Sequence, residues 1–315
     1  MDNKKIKFGV IGVGYLGKYH VKHLAEFDFI DFVGIYDINT TLAESVASNY
    51  NLPIANSLDE LLNKSDAISI VTPTEHHFEI AKQALQKSCH IFIEKPISNS
   101  IKLAEKLLED TINYKKVSHV GHIERFNPAF KAFMNQNRNP LFIECHRLTK
   151  INKRSMDISV VLDLMIHDID LLIQMINYPI KDIIADGISV LSDNTDLANV
   201  KLIFENGAVA NLTASRISSK DMRKIRVFEN KKYTSVDLLN KEVIEYSTQS
   251  VNKQNLTFNH KNITVKNDDA LALELRHFCD CIINNDINTQ NIRNAIEALR
   301  IAKEINKIIY SKRIS

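Results

Sequence analysis

The sequence predicts an α/β protein in two parts: a doubly wound parallel sheet, then an α+β region with a largely antiparallel, open-faced sheet. Three observations predict it. Short apolar runs alternate with amphipathic stretches up to about residue 124, a glycine-rich turn follows the first of those runs, and after Pro128 strand-like runs succeed one another without helices between them. A chain of 315 residues, 44% hydrophobic and 25% charged, is long enough to bury two cores of ordinary size. We expect one domain over residues 1–124 and a second over 125–315, with the C-terminal helices able to pack back on the first.

Residues 7–11, 32–36, 67–71 and 90–93 are the apolar runs that read as strands, and residues 78–87 and 101–113 have helical periodicity between and after them. Beyond Pro128, residues 160–176 form one long, mostly apolar helix. Runs rich in β-branched residues follow at 183–191, 200–204, 208–215 and 224–228, and Asn206-Gly207 between two of them is a hairpin signal. Residues 271–283 and 291–309 return to helical periodicity.

A formal net charge of +2, with basic residues interleaved among acidic ones, lacks the footprint of a nucleic-acid binder. Four cysteines, Cys89, Cys145, Cys279 and Cys281, show neither the density of a disulfide scaffold nor zinc-ligand spacing, so we read reduced thiols, a cytoplasmic protein and no metal. The lysines and short apolar run at the start read as a first buried strand rather than a signal peptide. No apolar run approaches the ~18 residues of a membrane span, and membrane insertion is not expected.

Gly12-Val13-Gly14-Tyr15-Leu16-Gly17 lies between the first strand and a helix, the context in which G-x-G-x-x-G signals a dinucleotide site. The first glycine permits the tight turn, the second lets backbone approach a pyrophosphate, and the third lets helix and strand pack closely. The helix N-terminus supplies N–H donors to the phosphates. Four of the chain's eight glycines fall between Gly9 and Gly17, so the cluster does not reflect a glycine-rich composition. Asp37 ends the second strand, where a carboxylate accepts ribose hydroxyls and repels a 2′-phosphate. No arginine follows it in Ile38-Asn39-Thr40-Thr41, which favours NAD over NADP.

Glu94-Lys95-Pro96 stands at the carboxyl end of a strand, the edge along which open α/β sheets bind ligands, although a Lys-Pro dipeptide alone reads as a loop. On the helix over 160–176, Asp163, His167, Asp170 and Gln174 recur at helical spacing and form one polar stripe, facing either solvent or a cleft.

Taken together, the glycine motif, Thr72-Pro73-Thr74 with His77, Glu94-Lys95-Pro96, and Asp163 with His167 resemble the Gfo/Idh/MocA family of oxidoreductases over nearly the whole chain. The resemblance implies a Rossmann domain that binds NAD through Gly12, Gly14, Tyr15, Leu16, Gly17, Asp37, Thr72, Pro73, His77, Glu94, Lys95 and Pro96, with the Lys95-Pro96 bond cis. It implies that Lys95 lies near the nicotinamide and the reacting hydroxyl, that His167 is the base, and that Asp163 orients it. It also implies subunits paired over the open sheet face, giving a dimer or tetramer.

A closer resemblance, to the family's UDP-N-acetylglucosamine 3-dehydrogenases, is carried by residues 120–128, 161–170 and 213–216 and by Met222-Arg223-Lys224-Ile225-Arg226. It implies a nucleotide-sugar substrate oxidised at C3, in a route to the diamino sugar of lipid A. Arg125, Asn127 and Arg154 join Lys95, Asp163 and His167 as substrate-binding candidates. Arg147, Lys150, Lys153 and Arg154 could meet a pyrophosphate or form a solvated loop. A UDP-sugar acid, a polyol such as inositol, or a non-catalytic NAD-sensing regulator are the alternatives.

Overall fold

The computed structural model describes residues 5–151, 156–252 and 255–313. Two compact units divide the chain: Met1–Ile123 with Asp269–Glu297, and Glu124–Asp268 with Ala298–Ser315.

In the first unit, β1 (Ile6–Ile11), β2 (Ile30–Tyr36), β3 (Ala67–Ile70), β4 (His90–Glu94) and β5 (Ser118–Gly121) form a parallel sheet in the order β2-β1-β3-β4-β5. The helices are α1 (Gly17–Ala25), α2 (Thr40–Tyr50), α3 (Leu58–Lys64), α4 (Thr74–Gln86) and α5 (Ile101–Tyr114). β1 and β3 are buried along almost their whole length, which is why they read as continuous apolar runs rather than alternating ones. Strand β5 escaped the apolar-run reading because Ser118-His119-Val120-Gly121 holds one aliphatic residue, yet all four are buried. The chain steps from β1 to β2 on one side and to β3 on the other, so a crevice opens at the carboxyl ends of β1 and β3.

The second unit contains α6 (Pro128–Met134), β6 (Phe142–Lys150), α7 (Ile166–Met175) and strands β7 (Ile180–Ile188), β8 (Leu197–Phe204), β9 (Val209–Ser218), β10 (Met222–Glu229), β11 (Lys232–Asp237), β12 (Glu242–Asn252) and β13 (Asn255–Ile263). They make an eight-stranded sheet, β13-β12-β11-β10-β6-β9-β8-β7, antiparallel except for the β6–β9 pair. The predicted hairpin joins β8 to β9: Gly207 takes φ +84° and its N–H donates to the Phe204 carbonyl at 2.9 Å. Strands β11 to β13 extend the sheet beyond the runs visible in the sequence, where polar side chains interrupt the pattern.

The helix expected over 160–176 begins differently. Val161–Met165 is a π-helical turn, and α7 follows it directly. Its apolar composition announced burial, but the wider backbone spacing of the π turn leaves no mark in hydrophobic periodicity. Ile166, Ile169 and Leu172 join Ile143, Cys145, Leu212 and Ile225 in the core of this unit. Two helices complete the chain. Helix α8 (Ala270–Ile283) places Phe278 in the first unit's core, 6.0 Å from the Phe8 ring and 5.8 Å from Phe92, and the division between units falls within α9 (Gln290–Arg313).

Candidate active site

Each glycine of the motif meets a different demand. Gly12 has φ +84°, and a Cβ there would lie 2.6 Å from the Val71 carbonyl oxygen. A Cβ on Gly17 would stand 1.9 Å from the Gly12 oxygen, so helix and turn could not close up. Nothing lies within 4 Å of the corresponding point at Gly14, leaving a cradle that a side chain would fill. Helix α1 starts without a side-chain cap, and its Lys18 and Tyr19 N–H groups donate to the Gly14 and Leu16 carbonyls at 3.2 and 2.9 Å.

Asp37 closes the turn from the side. Its carboxylate accepts the Val13 N–H at 2.8 Å on Oδ2 and the Asn39 N–H at 2.8 Å on Oδ1, which ties the glycine turn to the end of β2. A carboxylate has about four lone-pair sites, so acceptor capacity is left for two ribose hydroxyls. Beside it lies a cleft of about 620 Å³ bounded by Gly12, Gly14, Asp37, Thr72, Pro73 and Ile80. The charged residues that line it are Asp37 and Glu79, with no lysine or arginine, so a 2′-phosphate would meet carboxylates and no cation. The buried Thr72 hydroxyl has no hydrogen-bond partner among the described residues. An open glycine cradle, a half-used carboxylate and an orphaned hydroxyl fit a dinucleotide. Tyr15 and Leu16 are exposed and do not line this cleft, and Lys18 sits 5.0 Å from the Tyr15 ring centre.

His77, a cofactor-contact candidate, is 1% exposed, with Nδ1 2.9 Å from the Pro96 carbonyl and Nε2 2.8 Å from the Thr72 carbonyl. Burial lowers its pKa against the pull of both carbonyls. It braces the Thr72 loop against the Lys95 loop, and its neighbour His76 lines the cleft. The Lys95-Pro96 bond is cis.

Glu94 ends β4 inside a set of partners that the motif did not announce. His20 of α1 lies with Nε2 3.0 Å from Glu94 Oε1 and Nδ1 2.8 Å from the Ser69 hydroxyl, and Glu94 Oε2 accepts the Lys95 N–H at 3.3 Å. Burial alone would push the Glu94 carboxyl up, but the hydrogen bond with His20, with Lys95 and His77 nearby, holds it below the usual glutamate range. The only cue in the sequence was His20 on the inward side of α1, three residues past Gly17.

In the second unit, Asp163 lies within the π turn and His167 in the first turn of α7, both half-buried. The stripe they begin does not run out to solvent. Asp170 is 1% exposed and receives Arg125 in a two-pronged contact at 2.8 and 2.5 Å. Arg147, read as a candidate for pyrophosphate, is 2% exposed and spent on neighbours: Nη1 meets Glu124 at 2.7 Å, and Nε and Nη2 meet Asp168. Burial would raise Glu124, and Arg147 outweighs it and keeps the carboxyl low. Arg223 reaches the same carboxylate at 3.5 Å. Asn127 caps α6 through the Ala129 N–H and donates to Glu124 and to the Leu238 carbonyl, so its side chain is committed to the fold. Arg154 and Lys153 lie outside the described residues. Long-range pairs such as Glu124–Arg147 have no signature in local spacing.

Residues 6–122 match the oxidoreductase family with an NAD-binding Rossmann fold, GFO_IDH_MocA, and residues 127–232 match the GFO/IDH/MocA C-terminal domain. The UDP-N-acetylglucosamine 3-dehydrogenase of Acidithiobacillus ferrooxidans is 34% identical over 279 residues, 88% of each chain. This chain belongs to the Gfo/Idh/MocA family. Its fold superposes on the solved structure of that enzyme, GnnA, with a TM-score of 0.91 at 32% identity over 98% of both chains. The myo-inositol 2-dehydrogenase of Thermotoga maritima is 26% identical, covering 72% of this chain and 73% of its own. As a family member, the protein is an NAD-dependent oxidoreductase.

Proposed function

We propose that this protein oxidises the C3 hydroxyl of UDP-N-acetylglucosamine, and that the 3-keto product passes to an aminotransferase in synthesis of the diamino sugar of lipid A. The observation that carries the reading is the 34% identity to a UDP-N-acetylglucosamine 3-dehydrogenase over 88% of the chain. NAD, when bound, accepts the hydride from the carbon that bears the hydroxyl. The His167 imidazole takes the hydroxyl proton, a task suited to a ring nitrogen that can accept and release one, and Asp163 orients the ring. The Lys95 ammonium donates to the same oxygen and stabilises the negative charge that develops there. Arg125 and Asn127 act from behind, by holding Asp170 and Glu124.

We place the activity in the cytoplasm, a reading supported by four free cysteines. A second copy of the chain covers the outer face of the large sheet. Five rings cross that face in register, Phe142, Phe228, Tyr233, Tyr246 and His260, with neighbouring centres 4.9 to 5.8 Å apart. Light scattering tests this pairing, and a monomer at micromolar concentration would refute it.

The substrate is tested by incubating the protein with NAD, glutamate, a matching aminotransferase and UDP-N-acetylglucosamine, its uronic acid or myo-inositol. The coupling removes a ketone whose formation is uphill. Aminated product is expected with UDP-N-acetylglucosamine. Turnover only with the acid or inositol would overturn the substrate while leaving an NAD-dependent oxidoreductase.

A further inference from the structure

A buried polar chain that the proposed reaction does not use joins Ser69, His20 and Glu94, from β3, α1 and the end of β4. His20 and Ser69 are 1% and 0% exposed. A buried histidine facing a hydroxyl on one side and a carboxylate on the other has one arrangement that satisfies every group while the ring is neutral. The Ser69 O–H donates to Nδ1 (2.8 Å), and Nε2–H donates to Glu94 Oε1 (3.0 Å). Ser69 thereby selects the tautomer that presents a donor to Glu94.

The second observation is steric. A Cβ on Gly121, the register partner of Glu94 on β5, would stand 3.0 Å from Glu94 Oε1 and 3.1 Å from the Phe92 ring. The sheet thus leaves a slot for this carboxylate, and the His20 ring closes it while packing edge-on against Phe92 at 5.4 Å. The other carboxylate oxygen accepts the N–H of Lys95, so the direction in which Lys95 leaves the strand depends on where Glu94 is held.

We propose that His20 is a positioning residue for Lys95, acting through Glu94, with Ser69 setting its tautomer; the inference rests on the role given to Lys95 above. The titratable groups acting on Glu94 are His20 from α1, Lys95 next to it in sequence and His77 from α4. Removing the His20 donor leaves a half-buried carboxylate short of its principal partner. Its midpoint of protonation then rises, and the acid limb of the turnover profile moves to higher pH.

Three variants test this: His20→Leu, His20→Gln, which keeps a donor, and Ser69→Ala. In His20→Leu we expect kcat to fall by about 10²-fold, the scale of a misplaced reacting group. NAD affinity should be nearly unchanged and the acid limb displaced upward. His20→Gln should recover most of the loss, and Ser69→Ala should fall between it and the unaltered protein. Carbon-13 spectra of glutamate-labelled protein, with Glu94 assigned by Glu94→Gln, follow the carboxyl directly and need no substrate. A Glu94 midpoint that rises in His20→Leu supports the proposal. An unmoved midpoint with normal kcat in a folded His20→Leu overturns it. Should that variant fail to fold, indistinguishable pH profiles for His20→Gln, Ser69→Ala and the unaltered protein overturn it equally. Failure of the substrate assignment shows differently, as no turnover by the unaltered protein while the carboxyl titration still responds to His20.

Discussion

In the first unit the candidate ligand-binding groups are mostly backbone and short loops at the carboxyl ends of parallel strands, whereas in the second the proposed ones are side chains of one helix backed by buried ion pairs. Gly12, Gly14 and Gly17 work through the absence of side chains, and Asp37 spends half of its carboxylate on main-chain N–H groups. Asp163 and His167 stand beside Asp168 and Asp170, each neutralised by an arginine from a distant segment. A site made of backbone is specified by a few adjacent residues. One made of side chains depends on partners that only the fold brings near.

The contrast can be broken most sharply by removing reacting side chains. His167→Ala and Lys95→Met should each lower turnover by about 10²–10⁴-fold, the usual contribution of a positioned acid-base group. Both should leave NAD affinity, read by fluorescence titration, nearly intact. Near-normal activity in His167→Ala would remove the base from the second unit's helix.

Next in size is the ion-pair set behind that helix. Arg147→Met strands two buried carboxylates, and breaking such a pair costs about 3–5 kcal/mol. Denaturant unfolding should register that loss. A loss well below 1 kcal/mol would mean that water reaches Glu124 and Asp168 and that the set does not anchor α7.

Asp37→Ser probes the backbone-built site and should weaken NAD by about tenfold, since it removes ribose acceptors and the charge-assisted hydrogen bonds from Val13 of the turn and from Asn39. It should also narrow the preference over NADP. Tighter binding of NADP than NAD by the unaltered protein would show that the carboxylate does not face the ribose.

The smallest effect is expected at Gly207. Its positive φ is shared with Gly12, but a Cβ there meets nothing within 4 Å. Gly207→Ala should therefore cost only the backbone penalty, about 1–2 kcal/mol, seen as a modest drop in melting temperature. A much larger loss would show that the hairpin, like the glycine turn, is constrained by close contact.

The sequence by itself determined four of the five parallel strands, the glycine turn with Asp37 at the next strand end, the β8–β9 hairpin and the placing of Thr72-Pro73 and Glu94-Lys95-Pro96 just after strands. All of these are local: a buried parallel strand must be apolar throughout, a turn with φ +84° and a carbonyl 2.6 Å from the missing Cβ must be glycine, and both demands are written in neighbouring residues. Tertiary structure alone decided the π turn at Val161–Met165, the burial of Arg147 between Glu124 and Asp168, the use of Asn127 as a helix cap, and the bracing of the Thr72 and Lys95 loops by His77. It also brought His20 to Glu94 across 74 residues of chain. The physical reason is the same in each case. A charged or hydrogen-bonding side chain is chosen by whichever partner lies within about 3 Å of it, and spacing along the chain carries no record of partners that arrive from elsewhere in the fold.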